Sequence, residues 1–171
     1  MGFSGRKVAV TVGDPAGVGP DVIAAWAKSA PESLLSRVEV LAHADFLASL
    51  PGAIGRRPVG PAGFRAKPGE PSEDGCRVAA LALEGAAAGC SDGLYSAVVT
   101  APVSKFEMRK IGFDFPGQTE FFAARWGGEP VMCFAGGELL VSLATWHEPL
   151  SEVPSLLGFG RISRAAAAAA E

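Results

Sequence analysis

The stretch Lys7-Val8-Ala9-Val10-Thr11-Val12-Gly13-Asp14-Pro15-Ala16-Gly17-Val18-Gly19-Pro20 decides the fold. Its first six residues are β-branched or small apolar apart from Lys7, the composition of a buried strand over Lys7–Val12. A glycine-rich loop follows. Pro20 and Asp21 then open a helix through about Lys28, with proline in the first turn and an acid near the positive end of the dipole. Strand, glycine loop and helix in that order place the loop at the carboxyl edge of a parallel sheet. The glycine spacing is neither that of a dinucleotide fingerprint nor, lacking Gly-Lys-Ser/Thr, that of a P-loop. Two readings stay open: a turn that lets a helix pack tightly on a strand, or a loop that approaches a ligand.

Working outward, the same alternation continues. Val38–Ala42 reads as a second strand, and His43 as a surface residue at its end, since no second ligand stands beside it at metal spacing. Asp45–Leu50 holds a helical turn or two. Pro51–Glu73, dense in Pro, Gly and Arg, is a surface excursion with room for a short edge strand. Gly75–Cys90 carries an apolar, alanine-rich helical pattern, and Ser96–Thr100 a compact buried strand. Ala101-Pro102-Val103-Ser104-Lys105 starts the next helix, which Gly112 ends. A cation near a helix start is disfavoured by the dipole, so Lys105 either faces solvent or awaits an anionic partner.

In Phe113–Phe122 the Pro116-Gly117 pair forces a turn, and Thr119 stands where an N-cap belongs, before a helix over Glu120–Trp126. Such a corner offers free backbone N–H groups, to which anions bind. Gly127-Gly128 stops that helix. Val131–Phe134 and Leu139–Thr145 form a hairpin turning at Gly136-Gly137. The second strand delivers Trp146-His147-Glu148-Pro149-Leu150, and a histidine at a strand exit is placed for ligand binding. Ile162–Glu171 is a helix with six consecutive alanines and no C-terminal cap, so the chain reads as cut short.

The totals narrow the classes. The chain has 171 residues, 49% of them apolar, enough for one core. A net charge of -3 gives no electrostatic case for nucleic acid or an anionic membrane. Cys76, Cys90 and Cys133 are too widely spaced for a zinc knuckle or a disulfide framework. No apolar run reaches the length of about 18 residues that a membrane span needs. A cytoplasmic protein is expected.

Taken together, four stretches resemble one family. They are Val10–Pro20, Val99-Thr100-Ala101-Pro102-Val103-Ser104-Lys105, Phe115-Pro116-Gly117-Gln118-Thr119-Glu120-Phe121 and Thr145-Trp146-His147-Glu148-Pro149-Leu150. The family is that of 4-hydroxythreonine-4-phosphate dehydrogenase of vitamin B6 biosynthesis, the PdxA family. The first stretch also looks like the Gly-Asp-Gly-Ile-Gly-Pro loop of isocitrate and isopropylmalate dehydrogenases. The resemblance implies their three-layer α/β fold with a mixed sheet. Because family members are about twice as long, it also implies that residues 1–171 are an N-terminal half, truncated relative to the family.

It further implies a homodimer that oxidises the 3-hydroxyl of 4-phosphooxy-L-threonine, a small phosphorylated hydroxy-amino acid, with NAD. The β-keto acid so formed loses carbon dioxide. A divalent metal (zinc, magnesium or cobalt) is held by three histidines. Carried onto this chain, the resemblance makes His147 a metal ligand and Gln118 and Thr119 substrate-binding residues. It assigns no catalytic or NAD-binding residue. Two departures stand out: Gln118 replaces the family's histidine and Trp146 its threonine. An amide cannot carry a proton or a charge. The alternatives are a catalytically inactive remnant and a paralogue acting on a different hydroxy acid.

Overall fold

The computed structural model describes residues 5–170. The chain divides after Trp126 into two compact units.

The first unit is built on four strands: β1 (Lys7–Thr11), β2 (Val38–Ala42), β3 (Gly55–Pro58) and β4 (Tyr95–Thr100). They lie in the order β3-β2-β1-β4, all parallel. The helices are α1 (Gly19–Ser29), α2 (Glu32–Leu35), α3 (Ala44–Ala48), α4 (Glu73–Ser91), α5 (Lys105–Lys110) and α6 (Gln118–Trp126). Alternate strand residues point to opposite faces, and the two faces take different helices. Val10, Val12, Val38, Val40 and Ala42 pack with Ile23 and Ala27 of α1. Ala9, Leu41 and Tyr95 pack with Ala82 and Ala86 of α4. Three layers follow directly from a period of two read on both sides.

The second unit holds a hairpin, β5 (Cys133–Gly136) with β6 (Leu139–Ser142), then α7 (Val153–Leu156) and α8 (Phe159–Ala170). The α/β class stands, but not one mixed sheet. Parallel and antiparallel pairing occur in two separate sheets, because the only antiparallel pair among the described residues is a local hairpin. Its loop is Gly137-Glu138, one residue later than expected. Gly137 has φ +57°, the left-handed entry that such a two-residue loop requires.

Three more expectations change. β4 is not a compact buried strand: Val99 is 56% exposed, because β1 is the sole strand beside it among the described residues. Pro102 does not lie in a helical turn; Ser104 is the N-cap of α5, its hydroxyl accepting from the Glu107 N–H at 3.3 Å. β6 closes at Ser142, leaving Trp146 and His147 in a loop. Elsewhere the expected strands and helices appear within a residue or two, except that α8 starts at Phe159, three residues before the expected Ile162. The edge strand in the Pro/Gly-rich excursion is β3, and Ser72 caps α4 by accepting from the Gly75 N–H at 3.1 Å. All three cysteines are free. Among the described residues no helix is long and apolar enough to cross a membrane.

One polar cluster ties the sheet to α4. Tyr95, 1% exposed, donates its hydroxyl to the Glu39 carboxylate and accepts from Arg57 Nη1 at 3.2 Å. Its ring lies against Gly89, where an added Cβ would meet Tyr95 Cε2 at 2.3 Å. Burial, then the hydrogen bond to Glu39, raises the Tyr95 pKa above its ordinary 10.0. A raised phenol pKa favours the protonated side chain in the folded state, so its stabilisation is complete below pH 10 and is lost as pH rises through the folded value. Urea titrations should therefore show stability falling above about pH 10, and Tyr95→Phe should flatten that slope. Gly89→Ala should cost about 1–3 kcal/mol at neutral pH, because the ring and helix must separate.

Candidate functional site

The strand order creates one crevice. The chain leaves β1 toward β2 and β3, then returns to place β4 on the other side of β1. Ligands of open parallel sheets bind beyond the carboxyl ends of the strands at such a reversal. Here the two flanking segments are the Gly13–Val18 loop after β1 and Ala101–Ser104 after β4.

These segments are bonded to each other. The Ala101 N–H donates to the Thr11 carbonyl at 3.1 Å, and the Asp14 N–H to the Pro102 carbonyl at 2.9 Å. Gly13 has φ +69°, and a Cβ there would sit 2.3 Å from the Pro102 oxygen. Only glycine permits that approach. The Asp14 carboxylate accepts from the Ala16 N–H at 2.9 Å and closes the loop on itself. At Gly19, a Cβ would be 2.2 Å from the Val12 carbonyl, so α1 starts directly on the end of β1. Both open readings of the glycine loop are therefore compatible: it packs tightly and it lies at the crevice.

The Pro116-Gly117 corner reaches the same place from α6. Phe121, fully buried, meets Phe113 and Phe115 at ring separations of 5.3 Å each and fixes the corner. The helix begins at Gln118, with the Phe121 N–H bonded to the Gly117 carbonyl at 3.2 Å. Thr119 is thus not the N-cap but the second helical residue, and it is exposed. Gln118 Nε2 donates to the Ala101 carbonyl at 3.1 Å. Its Oε1 is buried without a partner among the described residues. A Cβ at Gly117 would lie 2.9 Å from a Glu120 carboxylate oxygen and 3.9 Å from Lys105 Nζ, so both charged groups converge on the corner.

His43 is a residue that sequence reasoning misplaced. It is 4% exposed, enclosed by the rings of Phe46 at 6.0 Å and Phe64 at 5.3 Å. Burial lowers its pKa against the smaller, opposing pull of Asp45. The signal was the unbroken apolar run Val40-Leu41-Ala42, all of it buried, that leads directly into His43. Phe64, lying in the irregular excursion, could not be placed above it from sequence. Thr11 Oγ1, His43 Nδ1 and Gln118 Oε1 are the buried side-chain atoms without partners among the described residues. All three follow or end a strand at the sheet's carboxyl edge, or bond to the segment that does. Unpaired buried polar atoms are uncommon and tend to mark functional positions.

His147 belongs to the second unit, while Gln118 and Thr119 belong to the first. It is exposed and has φ +59°, the one non-glycine residue in that region among those described. Left-handed backbone at a side-chain-bearing residue costs about 1 kcal/mol. Trp146 beside it lines a recess with Glu148, Arg161 and Arg164, where Arg161 pairs with Glu148 at 3.6 Å and Arg164 pairs with Glu129. Among the described residues, no three His, Cys, Asp or Glu side chains are gathered to hold a metal ion.

Residues 22–171 match the family described as pyridoxal phosphate biosynthetic protein PdxA. The chain is 36% identical over 168 residues to the 4-hydroxythreonine-4-phosphate dehydrogenase of Zymomonas mobilis, covering 86% of this chain and 50% of that protein. It superposes on the crystal structure of 4-hydroxythreonine-4-phosphate dehydrogenase from Klebsiella pneumoniae with a TM-score of 0.75 at 26% identity, covering 94% of this chain and 57% of that one. A terephthalate 1,2-cis-dihydrodiol dehydrogenase from Burkholderia xenovorans LB400 is similar at 27% identity and a TM-score of 0.66, with 94% and 54% covered. The chain spans about half the length of the curated relatives it matches.

Gly13→Ala should drive the two crevice segments apart. We expect a loss of at least about 2 kcal/mol in urea unfolding, with faster hydrogen exchange at the Asp14 amide, whose acceptor is the Pro102 carbonyl.

Proposed function

The chain belongs to the PdxA family, and from that premise we propose that it serves a dehydrogenase of pyridoxal phosphate biosynthesis. The proposed reaction oxidises the 3-hydroxyl of 4-phosphooxy-L-threonine. The carbon-bound hydrogen leaves as hydride to NAD, the hydroxyl proton goes to solvent or a base, and the β-keto acid then loses carbon dioxide. The observation that carries this reading is the crevice at the strand reversal, where three of the four family-like stretches converge.

In this reading Thr119, exposed on the first turn of α6, contacts the substrate. Gln118 forms the same subsite from beneath, holding the Ala101 carbonyl through Nε2. Lys105 and Glu120, which converge on the corner, set the charge that an anionic substrate meets. His147 would be one ligand of a divalent ion whose other ligands are not gathered among the described residues. When bound, such an ion lowers the pKa of a neighbouring hydroxyl and polarises the ketone. A homodimer, as the resemblance implied, belongs to the same proposal.

A second reading is favoured by Gln118. Its amide is neutral at every pH, and one end is already committed to Ala101. A member that binds a hydroxy acid without turning it over, or a paralogue with another hydroxy acid as substrate, would tolerate that exchange.

The test is calorimetric titration of the purified chain with 4-phosphooxy-L-threonine, followed by NADH formation with NAD and a divalent metal. Saturable binding, weakened by about tenfold in Thr119→Ala, supports the subsite; tenfold corresponds to about 1.4 kcal/mol, the scale of one lost hydrogen bond. Turnover that disappears in His147→Ala then supports the dehydrogenase. Binding without turnover selects the second reading, and no saturable binding sinks both.

A further inference from the structure

Residues 59–72, between β3 and α4, contain no helix or strand, yet they lie across the glycine loop. The Gly69 N–H donates to the Ala16 carbonyl at 2.8 Å. A Cβ at Gly75, in the first turn of α4, would lie 3.7 Å from the tip of the Phe64 ring and 3.8 Å from Pro15. Phe64, Pro15 and the start of α4 therefore meet at one point. The segment is anchored at its start, where the Val59 N–H donates to the Ala42 carbonyl at 2.9 Å. Beyond that, its hold on the protein rests on few groups. The ion pair Arg65–Asp45 at 3.8 Å, which leaves the segment, is largely exposed, as is Lys67–Glu70 at 3.4 Å within it, and such pairs stabilise little. At its start Val59 is partly buried in the core and Gly60 lies on Val78; farther along, the apolar anchor is Phe64, partly buried against the core and edge-on to His43.

We propose that residues 59–72 form an acid-released strap over the Gly13–Val18 loop, latched by the neutral imidazole of His43 between Phe46 and Phe64. The neutral ring needs only one N–H. The imidazolium carries two, and Nδ1 is buried without a partner. An unpaired, charged donor in that position is costly. The ionisable groups on the elements around it are Asp45 on α3, Arg65 on the strap, Asp14 on the glycine loop, and Glu73 and Asp74 at the start of α4. Of these only Asp45 has a resolved charge effect on His43; it favours protonation, and burial outweighs it. Lifting Phe64 exposes the ring to water and removes the penalty. The Gly69–Ala16 hydrogen bond, next along the segment, is then lost. Acid thus uncovers one wall of the crevice, whichever ligand the crevice takes.

The experiment follows two signals in the wild-type chain from about pH 7.5 to about pH 5: the His43 ring resonances by NMR, and hydrogen exchange at the Gly69 amide corrected for the intrinsic pH dependence. Gly69 should lose its protection over the same range in which His43 titrates. His43→Leu should keep Gly69 protected throughout, and Phe64→Ala should leave it unprotected at both ends. Titration of His43 with unchanged protection at Gly69 overturns the proposal. So does acid loss of protection in His43→Leu equal to that of the wild type.

Discussion

Gly13 stands so close to the Pro102 carbonyl that no side chain fits between them, and the arrangement at the sheet's carboxyl edge follows from that contact. It locks the loop after β1 to the segment after β4, with the Asp14 and Ala101 amides bonded across the gap. The next carbonyl along, that of Ala101, is then turned toward α6 and takes the Gln118 amide. Three segments far apart in sequence are held by backbone groups and one side chain. This is a pre-organised wall, since most of its polar groups are fixed before any ligand arrives.

Much of this was legible in the chain. Lys7–Thr11 and Val38–Ala42 are strands because β-branched and small apolar residues cluster there, and the glycines at 13, 17 and 19 marked either a tight connection or a ligand loop. The long helix was equally plain over Gly75–Cys90 from its alanine-rich apolar pattern, although its start at Glu73, after the Ser72 cap, was not read. What sequence could not supply was adjacency. Thr119 looked like a cap because its residue type suits one, but the Phe113–Phe115–Phe121 cluster draws the helix start back to Gln118. His43 looked like a strand-end surface residue because Phe64, which covers it, lies in a stretch without periodicity. β4 looked buried because its composition is apolar; which strands flank it is a fact of topology, not of local pattern.

The family-like stretches divide between the two units. Those at residues 10–20, 99–105 and 115–121 build the crevice, whereas the stretch with His147 sits in a loop of the second unit, on strained backbone. Strain of that kind persists only where the surroundings over-determine it. The second unit also leaves Phe134, Leu139 and Leu140 of its hairpin exposed, at 58%, 68% and 46%. A two-stranded sheet is marginal by itself, so α8, which packs against β6, is what gives this unit its order.

Tyr95 is the only tyrosine in the chain; its hydroxyl pairs with Glu39 and Arg57, and its ring lies against Gly89 of α4. That makes the phenol an optical probe needing no label. In alkaline solution an exposed phenol ionises and its near-ultraviolet absorption moves to longer wavelength, while an enclosed one does so only at higher pH. Every tyrosinate signal from this protein therefore comes from a single place, where α4 lies against the sheet. Its titration would follow the first unit without any contribution from the second.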